Sequence, residues 1–195
     1  MPLNPRLQKF TTASQSIATF DFVDIASGTG FEKFFMTGSI DSVGDKFILT
    51  SLSLAADNQA GTGAVDQTNF TADGVTRSFT TSAFNLPRTV SGNCYFSFTY
   101  NSSTPGGTNT LTAQIIVVDV DSNETDISSG GVTTRDTDEA ATTMMLLEIP
   151  LTQTTIKEGE KLRLKITRNS SDGNDLTLNH NGSESFILVP FRINL

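Results

Sequence analysis

Tryptophan is missing from the 195 residues, and there is one cysteine, one histidine and two tyrosines. Each scarcity removes a class of chemistry. A lone cysteine, Cys94, cannot staple a domain, so stability has to come from packing or oligomerisation. Within the apolar run Cys94–Tyr100 it reads as a small buried hydrophobe rather than a nucleophile. A zinc centre needs more His and Cys than are present. The sole histidine, His180, sits in Leu178-Asn179-His180-Asn181-Gly182, and the chain has no Gly-x-Ser-x-Gly elbow. A hydrolytic triad therefore has little to build on, and the expectation is that the chain is not an enzyme. With no Trp and two Tyr, stacking platforms of the kind sugar sites use are also few.

Charge is sparse and of one dominant sign. Charged residues make up 17% of the chain, and 13 Lys and Arg against 21 Asp and Glu give a net charge of -8. An acidic body is repelled by a phosphate backbone, so nucleic acid is not an expected partner. No apolar run approaches the ~20 residues of a membrane span. The longest, such as Ile115–Val118 and Met144–Leu147, are four residues. The opening residues carry two prolines and two cations without the apolar stretch of a signal peptide. Synthesis in a cytoplasm without membrane insertion is the expectation. No phosphate loop or dinucleotide fingerprint occurs, and no cofactor is expected.

What the chain does have is Thr, Ser, Asn and Gly, together with 14 Phe. Thr favours pleated, half-exposed surfaces. The Phe content requires a real core and argues against disorder. Short apolar runs alternate with turn residues along the whole length. The pattern predicts strands around Phe20–Ile25, Phe31–Ile40, Phe47–Leu54, Arg77–Phe84, Cys94–Tyr100, Leu111–Val120, Thr142–Leu151, Leu162–Thr167, Leu176–Leu178 and Phe186–Ile193. Phe96 and Phe98 share a face with Cys94, and Tyr95 and Ser97 face the other way. Most Phe fall at alternating positions and are assigned to the core. Leu111–Val120 reads as a central strand buried on both faces. Asp57–Asp73 and Asp121–Ala141 read as long loops. Pro190 predicts an edge position or a bulge in the last strand. The fold class predicted is all-β: an antiparallel β-sandwich of jelly-roll type. It forms one domain over residues 19–195, preceded by an extended N-terminal arm over residues 1–18.

Two segments carry candidate sites. The arm sets Pro2, Pro5, Arg6, Lys9 and Phe10 against an acidic body, which suits docking on a neighbouring subunit or an acidic partner. Asp119, Asp121 and Asn123 alternate oxygen ligands at a strand end, as a calcium loop does. Glu124 then stands where such a loop needs Gly, and Gly130 where it needs the bidentate Glu. The segment therefore reads as a solvated acidic loop, and no metal is expected. Asp172, Asn174 and Asp175 form a weaker cluster that a turn explains.

The C-terminal strands carry a resemblance. Ile156-Lys157-Glu158-Gly159-Glu160-Lys161-Leu162-Arg163-Leu164-Lys165-Ile166 is followed by a Gly/Asp turn, then Leu176 to His180, then Leu188-Val189-Pro190-Phe191-Arg192-Ile193. This order resembles the closing strands of small β-sandwich virion proteins of tailed bacteriophages. The resemblance implies a capsid decoration (cement) protein on the outer face of a phage head, assembled in the host cytoplasm. Its partners would be the major capsid protein and further copies of itself, in a trimer. The arm and one face of the sandwich would contact the shell or a neighbour. The alternative is a receptor- or glycan-binding module of a tail or fibre, with its pocket in the loops at Asp57–Asp73 or Asp121–Ala141.

Overall fold

The computed structural model describes residues 18–19, 29–39, 46–51, 67–102, 109–134, 143–170, 176–180 and 184–192. These residues form thirteen strands and no helix. In chain order the strands are β1 (Ala18–Thr19), β2 (Thr29–Ser39), β3 (Lys46–Thr50), β4 (Gln67–Phe70), β5 (Thr76–Thr80), β6 (Arg88–Ser102) and β7 (Asn109–Val118). Then follow β8 (Glu124–Asp126), β9 (Val132–Thr133), β10 (Thr143–Ile156), β11 (Lys161–Ser170), β12 (Leu176–Asn179) and β13 (Phe186–Arg192). The strands expected around Phe20–Ile25, the N-terminal arm residues up to 17, and the cluster at 172–175 lie outside the described residues.

The strands make one path of sheet, β4-β12-β6-β13-β2-β3-β5-β11-β7-β8, with β10 beside β6, β1 beside β2 and β9 beside β7. Among the described strands, β3 and β5 are the one parallel pair; the rest are antiparallel. The path folds over at the β3–β5 seam, and the inner faces of its two halves share one core. On the opposite side the Thr152 N–H donates to the Ile127 carbonyl at 2.8 Å, tying β10 to the turn after β8. The fold is an all-β, largely antiparallel sandwich of the jelly-roll kind, as the spacing of turn signals predicts.

Alternation decides which side chains enter the core. On β6, Val90, Cys94, Phe96, Phe98 and Tyr100 point inward and are fully buried. On β11, Leu162, Leu164 and Ile166 are buried while Arg163, Lys165 and Thr167 are half-exposed. β7 alternates up to Ile115 and is then buried on both faces through Val118, lying between β11 on one edge and β8 and β9 on the other. β10 runs further than the alternation predicts, because a bulge between Leu151 and Thr154 lets it stay paired with β6 as far as Ile156.

Three sequence readings change. Asp57–Asp73 is not wholly loop: β4 closes it and pairs with β12, because Phe70 is needed in the core. The second long loop contains β8 and β9. Pro190 is not on an edge, since β13 lies between β2 and β6. The bulge is real, with the register against β6 shifting between Leu188 and Phe191, so the missing N–H of proline falls where the ladder is already interrupted.

Arg168 continues the inward side of β11 and is fully buried. Its Nε and Nη2 donate to Asn109 Oδ1 at 3.0 and 2.7 Å, and its Nη1 donates to the Phe70 carbonyl at 2.7 Å. Its backbone bonds both ways with the turn at Gly74 and Val75. One side chain thereby pins β11 to β7 and to the end of β4. A buried charge tolerates this position only while its hydrogen bonds are filled. Asn109→Ala is expected to cost about 2–3 kcal/mol in urea unfolding. A cost below about 0.5 kcal/mol would show that the pin is dispensable.

Candidate interaction surface

The two outer faces of the sandwich differ in chemistry. On the β5-β11-β7 side, apart from Ile116 and Val118, which are buried near β8, the outward residues are Thr, Ser, Asn, Gln and cations, many of them bonded to each other. Thr76 and Thr167 hydroxyls lie 3.0 Å apart, Thr112 and Thr133 hydroxyls 2.9 Å apart, and Asn169 Nδ2 donates to Thr112 Oγ1 at 2.8 Å. Arg163 donates to Thr80 Oγ1 at 3.0 Å and forms an ion pair with Glu124, which Lys165 also reaches at 3.4 Å. This face is a solvated surface on which Thr side chains bond to one another.

The outer face of β10-β6-β13-β2 is apolar. Register sets Leu146, Ser97, Phe186 and Phe35 in one row across the four strands. The next row holds Glu148, Tyr95, Leu188 and Lys33. Phe31 packs its ring 5.9 Å from that of Tyr95. Lys33 is the one cation in these rows, and its Nζ lies over the rings of Phe186 and Phe35, at 3.7 and 4.6 Å from their centroids. At the β10 margin Met144 and Leu146 are 57% and 61% exposed. Half-buried aromatic rings beside exposed Met144 and Leu146 suit a contact site better than a fully solvated wall.

The assignment of most Phe to the core holds among the described residues, with three exceptions. Phe34, Phe47, Phe70, Phe79, Phe84, Phe96, Phe98 and Phe191 are buried, but Phe31, Phe35 and Phe186 are on the outer face. The signal is in the sequence. Phe34-Phe35 and Met144-Met145-Leu146-Leu147 place apolar side chains on both faces of a strand, because neighbours in a strand point opposite ways.

The acidic loop is internally satisfied. Asp119 accepts from the Asp121 N–H at 2.9 Å, the Asn123 N–H at 2.8 Å and Asn123 Nδ2 at 2.8 Å. These bonds, that from the Asn123 side chain foremost, hold its carboxyl below the ordinary aspartate value. Asp121 and Asn123 thus serve as donors to the turn, and Asp119 as its acceptor. Among the described residues no three acidic, His or Cys side chains converge as a metal site would require. Asp126 accepts from Ser128 N and Oγ at 2.8 and 2.6 Å, from Gly130 N at 2.8 Å and from Gln114 Nε2 at 3.0 Å. Partial burial opposes its ionisation, and the hydrogen bonds outweigh that, so its carboxyl also sits below the usual range.

His180 is buried, its ring edge-on to Phe47 and Phe79 at 5.1 and 5.8 Å. It serves as a core aromatic there. Cys94 is fully buried and burial pushes its thiol far up, in keeping with a packing role. Pro2, Pro5, Arg6, Lys9 and Phe10 lie outside the described residues.

No family model and no curated protein matches the chain. Solved structures do match. A CocE/NonD family hydrolase from Staphylococcus aureus superposes with a TM-score of 0.57 at 12% identity, over 85% of this chain and 37% of the hydrolase. A structure of infectious bursal disease virus, Gt strain, matches at 16% identity over 66% of this chain and 35% of that chain, with a TM-score of 0.35. A family 16 carbohydrate binding module matches at 11% identity over 63% and 78%, with a TM-score of 0.32. The chain spans little more than a third of the hydrolase it matches. The match to the CocE/NonD family hydrolase corrects the expectation that the chain is not an enzyme, since a hydrolase chain carries this fold. A shortage of His and Cys bounds what these residues do alone, and does not bound what a longer chain containing the fold does. At 12% identity the likeness is one of fold.

Because the Asp126 pKa is depressed on folding, its contribution to stability is present above the unfolded aspartate pKa and is lost as pH falls through the folded value. Asp126→Asn is expected to lower stability near neutral pH by about 0.5–1 kcal/mol. It is also expected to flatten the loss of stability between about pH 5 and pH 2 in urea titrations. Parallel acid profiles for the two proteins would remove Asp126 as a contributor.

Proposed function

We propose that the chain is a structural or binding module of a virion, and more specifically a decoration protein on the outer face of a tailed-phage head. The observation that carries this reading is the inequality of the two outer faces. The β5-β11-β7 face is hydroxyl-rich and self-bonded, fit for solvent. The β10-β6-β13-β2 face is apolar and aromatic, fit for a protein surface. A shell lattice and neighbouring copies in a trimer supply such a surface many times over. The resemblance of the closing strands to phage virion sandwiches supports the same reading. In it the arm residues Pro2, Pro5, Arg6, Lys9 and Phe10 add a second contact to the major capsid protein, and the acidic body faces away from packaged DNA.

Copy number per purified particle tests this reading directly. Many copies in fixed ratio to the major capsid protein are expected, and absence from particles would overturn it. On shells lacking the protein, added wild-type chain should bind to saturation. Leu146→Asp should lower occupancy about tenfold through the cost of a charge in an apolar contact, with its thermal midpoint unchanged. Undiminished occupancy by that variant would remove this face as the shell contact.

A further inference from the structure

The β3–β5 seam opens into a cleft. The two strands pair in parallel only from Lys46–Ile48 against Ser78–Thr80. Beyond that point β3 stays with β2, through Phe35 opposite Thr50. The other chain turns away: the Thr81 N–H donates to the Leu162 carbonyl at 2.9 Å, and the Leu162 N–H donates to Thr81 Oγ1 at 3.0 Å. The gap between them encloses about 540 Å³, within the ~300–1,000 Å³ of small-molecule sites. Its outer wall is held in place, because Phe84 exchanges backbone bonds with Glu160 at 2.9 Å and Gly159 at 2.8 Å.

The chemistry inside is specific. Glu32 points inward from β2, is 5% exposed, and forms an ion pair with Arg88. The Arg88 guanidinium is flanked by the rings of Phe84 and Phe191, at 5.4 and 5.2 Å from their centroids. Only its Nη1 is engaged by Glu32. Nε and Nη2 make no hydrogen bond to another described residue. Thr50, Ser51, Ser82 and Asn85 add neutral polar groups around the mouth. The cleft thus offers a carboxylate acceptor, a fork of donors, an aromatic wall and no net charge.

That combination selects among ligands. An anion meets Glu32 at once, in a protein of net charge -8. A cation has to displace Arg88. An apolar ligand would bury an ion pair whose remaining donors then have no acceptor. Neighbouring hydroxyls on a sugar ring both donate and accept, so one can give its proton to Glu32 while another accepts from Arg88. The C–H face of the ring then packs on Phe84. We propose that this cleft binds a neutral saccharide. The site rests on neither the virion reading nor the apolar outer face.

The test applies the full chain to an array of defined neutral oligosaccharides, with titration calorimetry on those retained. At least one is expected to bind with a Kd of about 1 mM or tighter. Ala83→Trp, at an exposed lip of the cleft, should abolish that binding by filling the space. Arg88→Gln should weaken it about tenfold or more through the lost charged donors, and Leu146→Asp should leave it unchanged. Where Arg88→Gln fails to fold, Ala83→Trp carries the test alone, since Ala83 is exposed and the substitution removes neither partner of the ion pair. Failure of every oligosaccharide to bind would overturn the proposal. So would binding that Ala83→Trp leaves intact, or a preference for acidic sugars or peptides over neutral ones.

Discussion

Strand β6 has to satisfy two edges along fifteen residues, and the rest of the sandwich is arranged around that requirement. One edge is covered by β10 from Arg88 to Tyr100. No single strand covers the other. β13 takes Val90 to Ser97, and β12 takes Thr99 to Ser102. A buried backbone group without a partner costs about as much as a lost hydrogen bond, so the handover from β13 to β12 has to be tight. Ser97 Oγ donates to the Glu184 carbonyl at 2.8 Å, and Ser185 Oγ donates to the Asn179 carbonyl at 2.7 Å, in the crossing between those strands. With both edges filled, five inward side chains of β6 are held fully buried at the centre of the core.

Both surface features follow from this frame. The apolar outer face exists because β10, β6, β13 and β2 lie side by side, so outward residues from four distant parts of the sequence fall into rows. The cleft exists because the two halves of the sheet are joined at β3–β5 by only a short parallel ladder, which cannot hold the halves together beyond it. Glu32 and Arg88 close the interior where that ladder ends. Two polar residues do there what Phe and Leu do elsewhere, and an ion pair rather than an apolar plug keeps the opening wet.

Much of the fold was legible where alternation was strict. Leu162, Leu164 and Ile166 against Arg163, Lys165 and Thr167 define β11 and its faces without ambiguity, and Cys94, Phe96 and Phe98 do so for β6. The β-branched run after Leu111 marked a central strand. Reading failed where the decision belonged to tertiary contacts. β4 has little pattern of its own and is a strand because β12 offers it an edge. Arg168 lies on the inner side of β11 and is kept there by Asn109 and Phe70, remote in sequence. The outer apolar side chains are encoded in Phe34-Phe35 and Met144–Leu147, where consecutive apolar residues put side chains on both faces of a strand. Glu32 was invisible as a site residue, since nothing local links it to Arg88.

The position of β13 has a consequence for how the chain is made. The last described strand is not appended to the sheet but inserted between β2 and β6. Until it emerges from the ribosome, two long strands expose unpaired edges beside a cluster of phenylalanines, and such edges invite pairing with other nascent chains. The sandwich cannot close progressively from its N-terminal side. Contacts between residues so far apart in sequence are of the kind that slows folding. The hazard of misassembly then falls chiefly on the interval of synthesis before β13 is in place, rather than on the folded sandwich.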